Sequence, residues 1–194
     1  MSNGYKISEQ DELHYVTFQI VRWIDIFTRK VYRDIVIESL RFCQEKKGLE
    51  IYAFVIMSNH VHAIIRSSNG RLSDTIKEFK SFTAKKMLEQ MTNENESRRE
   101  WMLSEFEFAA KKHKRNEKYQ IWTHENHPII LYGNALIQQR INYIHDNPVR
   151  SGIVANQEDY LYSSARAYAG VDCLLDVIVP LMEIERIPLM RTLK

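Results

Sequence analysis

Residues 52–66 read Tyr-Ala-Phe-Val-Ile-Met-Ser-Asn-His-Val-His-Ala-Ile-Ile-Arg, two apolar runs broken around Ser58-Asn59. The pattern predicts a β-hairpin whose strands are apolar on both faces and therefore central in a sheet. His60 and His62 stand at its turn, one residue apart. Residues i and i+2 of a strand point to the same side, so the two imidazoles should stand side by side, ~6–7 Å apart at Cα, with Val61 turned into the core. That is a workable two-armed grip on a metal ion. Polar rings at the end of an apolar hairpin need partners, and backbone or solvent can supply them as well as a metal can. The pair alone leaves both readings open.

A second stretch bears on the choice. Residues 134–149 read Asn-Ala-Leu-Ile-Gln-Gln-Arg-Ile-Asn-Tyr-Ile-His-Asp-Asn-Pro-Val. Gly133 breaks what precedes, Asn134 is a candidate N-cap, and Ile137, Ile141 and Ile144 recur at helical spacing. Pro148 is expected to stop the helix. Tyr143 and Asn147 lie four apart and so share a helix face, with Arg140 on that face too. The face offers a phenol, an amide oxygen and a guanidinium. Taken alone, this reads more simply as a half-buried tyrosine beside an asparagine helix cap.

Together, the hairpin MSNHVH, the later NYIHDNPVRSGIV and the trailing EDYLYSSARAYAG resemble the REP-associated tyrosine transposases, single-tyrosine relatives of the HUH transposases. The match runs from about residue 13 to about residue 170. Ser58 stands where a common variant carries proline, a difference confined to the turn. The resemblance implies an α+β fold, an antiparallel sheet with helices packed on one face, akin to ferredoxin-like and RNA-recognition-type folds. It makes His60, His62 and Asn147 ligands of a divalent ion, Mg²⁺ or Mn²⁺, and Tyr143 the nucleophile. The implied activity is nicking and rejoining of single-stranded or hairpin DNA, including repetitive palindromes, through a 5′-phosphotyrosine. A phenol is a weak nucleophile at its ordinary pKa of ~10, so activation is required. In insertion-sequence relatives the tyrosine helix can serve a partner's metal site, so the resemblance allows a homodimer as well as a lone subunit. A non-catalytic binder of nucleic-acid hairpins is the alternative on the same fold.

Composition sets outer bounds. The 194 residues carry a formal net charge of +2 and two cysteines, with 44% hydrophobic residues. That predicts one domain with an ordinary core over 1–194, comprising the family-like part, a charged insertion over 92–118 and a tail over 171–194. The charge is mild, so any nucleic-acid surface must come from local clusters. Cys43 and Cys173 imply no disulfide framework, and no signal-like or membrane-spanning run is evident, which points to a cytoplasmic, reducing setting.

Elsewhere, His14–Arg22 reads as a strand, and Val31–Lys47 as a helix ended by Gly48. Another helix spans Ser73–Gln90, capped by Ser73, with Leu72, Ile76, Phe79, Thr83 and Met87 on its core face. Lys77, Lys80 and Lys85 form its opposite stripe; with the run Lys111, Lys112, His113, Lys114 and Arg115 they are candidate phosphate contacts. A solvated surface is the plainer reading of both. In the charged insertion, Trp101, Phe106 and Ala109 or Ala110 are expected to make the apolar contacts. His124-Glu-Asn-His127 lacks the HExxH spacing of a zinc hydrolase, and Pro128 blocks the helix that motif needs; either histidine is a candidate to line a DNA path. Pro128–Tyr132 reads as a short edge strand, and Ser163–Tyr168 as a short helix near the site.

Overall fold

The computed structural model describes residues 7–93, 96–112 and 118–180. The hairpin expected from residues 52–66 is present. Strands β1 (His14–Gln19), β2 (Leu49–Ile56), β3 (His60–Ser67) and the two-residue β4 (Ile129–Ile130) form an antiparallel sheet in the order β2-β3-β1-β4. β3 is central, in keeping with the unbroken burial of Val61 through Ile65. β2 is formally an edge strand, which its apolar sequence did not suggest. Its free side is covered by later chain: Val55 bridges Ser163, Ile56 N donates to Tyr162 O, Ser164 N to Phe54 O, and Ile178 N to Ile51 O. Leading into β4, residues 121–128 follow β1 as a broken strand through Thr123 N to Gln19 O and Thr17 N to Asn126 O.

Helix α1 (Lys30–Lys47) ends where Gly48 turns left-handed at φ 66°, a conformation that costs glycine little. Helix α2 (Leu72–Asn93) buries Leu72, Ile76, Phe79, Thr83 and Met87, the five positions its period selects. It starts one residue earlier than expected. Ser73 does not cap it; instead the Gln10 side chain accepts from Ser73 N at 2.8 Å. Helix α3 (Arg99–Lys111) buries Met102, Phe106, Ala109 and Ala110, but Trp101 lies 50% exposed rather than in the apolar contact expected of it.

Helix α4 (Asn134–Arg150) does not stop at Pro148. Proline deletes the one backbone bond that residue 148 would make to Ile144 O, and the Asn147 side-chain amide donates back to Tyr143 O at 2.6 Å, bracing the turn before it. Gly133, at φ 78°, occupies the cap position, so Asn134 is the first helical residue rather than the cap. A short helix, α5 (Ala165–Tyr168), follows.

Antiparallel register assigns the two faces, because directly paired residues share a side. Phe18 pairs Val61 and Val16 pairs Ala63. Phe18 packs against Phe79 of α2, and α1 packs on α2, so these helices cover that face. Thr17 pairs His62 and Gln19 pairs His60 on the other face. There α4 crosses, with Tyr143 against Tyr15 and His62. Cys43 is buried, and both cysteines are free thiols. No helix among the described residues is long and apolar enough to cross a membrane.

Candidate active site

The start of β3 places His60 and His62 on one side of the sheet, their ring centroids 4.5 Å apart. Each ring is held through Nδ1. His62 Nδ1 lies 2.8 Å from Thr17 Oγ1 and 2.9 Å from Tyr15 Oη, two hydroxyls delivered by β1. His60 Nδ1 lies 2.7 Å from Asn59 Oδ1. The Asn59 amide is itself oriented, because its nitrogen donates to the Trp23 carbonyl. His60 therefore donates from Nδ1 and keeps the Nε2 lone pair. The hydroxyls beside His62 can accept as well as donate, so its Nδ1 can carry the proton in the same way. Hydrogen-bonded Nδ1 with Nε2 left over is the arrangement of metal-binding histidines.

Charge favours the same state. Burial, the neighbouring His60 and the Arg140 guanidinium push His62 down to about 3, and burial also lowers His60. Both imidazoles are neutral at pH 7, the form that offers a lone pair. Burial pushes the Tyr15 phenol up to about 12, so it stays a hydrogen-bonding hydroxyl beside them.

Tyr143 projects from α4 over this pair, its ring centroid 5.5 Å from that of His62, and remains 37% exposed. The rival tyrosines are committed elsewhere: Tyr160 donates to Ile56 O, Tyr162 to Asp34 and Tyr132 to Glu9. Arg140 lies over the Tyr15 ring at 5.1 Å, with a buried Nε that has no hydrogen-bond partner among the described residues. Arg150 lies 5.9 Å over the Tyr143 ring. The sequence reading missed Arg150 because it ended the helix at Pro148; with α4 continuous, position 150 falls seven residues on, on the Tyr143 face.

Asn147 lies on that helix, one turn from Tyr143, but its recorded side-chain contact is with the Tyr143 carbonyl. Its Oδ1 is the atom left to ligate. No group of three or more His, Cys, Asp or Glu suited to a metal occurs among the described residues, and an amide, hydroxyl or backbone oxygen is the kind of donor those residues offer beside the His pair. The register also sets Gln19 beside His60, a second nearby amide that only the strand pairing reveals.

A clasp fixes α4 against the sheet. His145 Nε2 lies 2.8 Å from Ser164 Oγ, and that oxygen accepts from Phe54 N on β2. The Ser-Ser stretch thus joins the tyrosine helix to the strand next to the histidines.

The basic candidates separate. Lys77 is exposed, and Lys85 is within 4.0 Å of Glu89; both line a groove of about 930 Å³ between α2 and residues 119–126. Lys80 departs from the expected solvent-facing stripe. Its Nζ donates to Thr123 O and Asn126 Oδ1, both at 2.6 Å, and burial lowers it to about 8, so it latches α2 to the strand beside β1. Lys111 pairs with Glu107, and Lys112 lies over the Phe108 ring at 4.6 Å. His113, Lys114 and Arg115 lie outside the described residues.

Two residues before the site went unnoticed in the sequence. Arg22 and Trp23 adopt left-handed dihedrals, φ 55° and 58°, without being glycine. Each costs about 1–3 kcal/mol, a strain often stored next to functional groups. Trp23 is 64% exposed, edge-on to His60 at 6.5 Å.

Comparison with a solved structure agrees with this architecture. A solved structure of a REP-associated tyrosine transposase bound to a REP hairpin superposes with a TM-score of 0.56 at 18% identity, covering 95% of this chain and 96% of that one. A candidate transposase from Deinococcus radiodurans R1 aligns over 75% of this chain and 97% of its own, at 19% identity and a TM-score of 0.40. No curated protein matches. The first likeness shows a shared fold. The sequence itself matches the family described as IS200-like transposases over residues 9–147, a span that includes the histidine hairpin and the tyrosine helix through Asn147, and the chain belongs to that family.

Proposed function

We propose that the chain is a metal-dependent nickase and strand transferase of the REP-associated branch, acting on single-stranded or hairpin DNA. The observation that carries this reading is the exposed Tyr143 phenol held over two neutral imidazoles whose Nδ1 atoms are already hydrogen-bonded. In this reading His60, His62 and the Asn147 amide oxygen hold a divalent ion. The donor set fits: imidazole suits Mn²⁺ and an amide oxygen suits Mn²⁺ or Mg²⁺. When bound, the ion supplies Lewis-acid polarisation of a phosphate oxygen.

The chain's own groups do the rest. Tyr143 Oη attacks phosphorus and loses its proton. The bond to the 3′ oxygen breaks, and that oxygen leaves with a proton as a free 3′-hydroxyl. A 5′-phosphotyrosine remains, and because one phosphodiester is exchanged for another, a second 3′-hydroxyl can reverse the step without ATP. Arg140, whose buried Nε has no hydrogen-bond partner among the described residues, and Arg150, over the phenol, bring positive charge to the transferred phosphate. Mounting the nucleophile on a helix clasped to the sheet limits its motion, and such positioning can contribute up to about 7–11 kcal/mol. An unpaired strand gives the backbone access this geometry needs, which a duplex does not.

The test is incubation with labelled hairpins drawn from DNA flanking the gene, with Mg²⁺ or Mn²⁺. The wild-type protein should nick and form a protein–DNA adduct mapping to Tyr143 after protease digestion. Tyr143→Phe should bind the same hairpins without nicking. Efficient nicking by Tyr143→Phe, or an adduct on another tyrosine, would overturn the assignment. Hairpin binding without nicking by the wild type would leave a non-catalytic binder.

A further inference from the structure

We infer that Trp23 is a stacking platform for one unpaired nucleobase beside the scissile phosphate, an inference that rests on the DNA-nicking reading above. Three observations converge on it. The indole is 64% exposed, which is unusual for so large an apolar ring and leaves a face free for a ligand. It stands edge-on to His60, with ring centroids 6.5 Å apart, so a base laid on it is within a nucleotide's length of the imidazole pair. The backbone that presents it is strained: Arg22 and Trp23 are consecutive left-handed residues, neither of them glycine.

That kink is held from two sides. The Arg22 guanidinium pairs with Glu105 and lies over Phe108, both on α3, while the Trp23 carbonyl accepts from Asn59. The two side chains therefore leave the kink for different partners, one anchored on α3 and one presented beside the site. The packing holds the indole out in solvent instead of burying it. An aromatic face binds any base by stacking, so the platform positions the strand without reading its sequence. The same kink fixes the Asn59 amide that orients His60, which ties the stacked base to the imidazole through a single rigid turn. Replacing only the side chain keeps that carbonyl link.

The experiment uses the full chain carrying Tyr143→Phe, so that binding is read without cleavage. The probes are synthetic hairpins with unpaired flanks from DNA beside the gene, each with one abasic nucleotide at a different flank position. Trp23→Ala should weaken binding to the intact hairpin about tenfold, and Trp23→Phe should restore most of it. One abasic position should cost the Trp23 protein a similar factor and cost Trp23→Ala nothing further. Unchanged affinity in Trp23→Ala, or losses that multiply at every position, would overturn the stacking role while leaving the nicking reading intact. No hairpin binding by the Trp23-intact protein, together with no nicking by wild type, would overturn both.

Discussion

The two faces of β3 carry the same alternation to opposite ends. On one side Val61, Ala63 and Ile65 are almost wholly buried beneath α1 and α2, and their job ends with packing. On the other, His60, His62 and Ile64 run from a half-open, polar end into apolar cover, and α4 crosses there with its tyrosine still in reach of solvent. The first face tolerates any apolar set that fills its volume. The second depends on particular atoms: two Nδ1 positions matched by hydroxyl and amide oxygens, and one phenol. Substitutions on the two faces should therefore fail in different ways.

The sharpest contrast pairs His62→Ala with Phe18→Ala. The histidine variant should stay folded yet lose nicking by three orders of magnitude or more, with weakened Mn²⁺ binding by calorimetry, since both a candidate ligand and its support are gone. Phe18 packs against Phe79 and Trp122, so its truncation should cost about 3–5 kcal/mol in urea unfolding while the folded fraction still nicks. Equal loss of activity per folded molecule in both variants would erase the distinction.

Next in size is Arg150→Ala. A cation over the phenol should matter to the chemical step more than to binding, so single-turnover nicking should slow about 10–100-fold with hairpin affinity little changed. A variant that nicks at the wild-type rate would return Arg150 to the solvated surface.

The clasp behind α4 gives a pH signature. Burial pushes His145 down to about 4, below the 6.5 of an unfolded histidine. The unfolded chain binds this proton first, so stability is full above about pH 6.5 and falls as pH drops towards 4. At pH 5 the loss from this group is about 2 kcal/mol, and His62, shifted in the same direction, adds to it. Urea midpoints at pH 7 and pH 5 should converge in His145→Gln relative to wild type. An unaltered gap would place the acid sensitivity elsewhere.

The smallest effect concerns the outer side of α2. Neutralising Lys77, Lys85 and Lys112 together should flatten the salt dependence of hairpin binding by about two to three units of log–log slope. Lys80→Met should instead lower stability with little change in slope, because its ammonium is spent on Thr123 and Asn126. A slope that responds to Lys80 alone would reverse these roles.

Much of this was legible in the chain because it was periodic or punctuated. The hairpin announced itself by apolar runs around a turn, α2 by five core positions in register, and the end of α1 by Gly48. The histidines and tyrosine were legible as motifs spaced along the chain. What stayed hidden depended on long-range geometry. Proline was read as a stop, yet two residues before the end of α4 it costs only the single bond to Ile144 O, so Arg150 went unplaced. Lys80 looked like its exposed neighbours because periodicity gives a face, not what later segment covers it. The kink at Arg22 and Trp23 has no glycine to mark it. That α4 crosses the face opposite α1 and α2 follows from pairings between β1 and β3, which no local pattern encodes.

The cover over β2 has a consequence for how the chain matures. β2 is complete at Ile56, but the residues that close its outer side, Tyr162 to Ser164 and Ile178, come more than a hundred residues later. During synthesis the hairpin can pair with β1 long before that side is sealed, leaving a run of strongly apolar strand with open amides and carbonyls. A ribosome paused between Arg150 and Tyr162 would hold a nascent chain whose histidine hairpin and tyrosine helix have been made but whose sheet still has an open edge. The Ser-Ser stretch, with Tyr162 and Ile178, is thus a late-made cover for the outer side of an early-made strand.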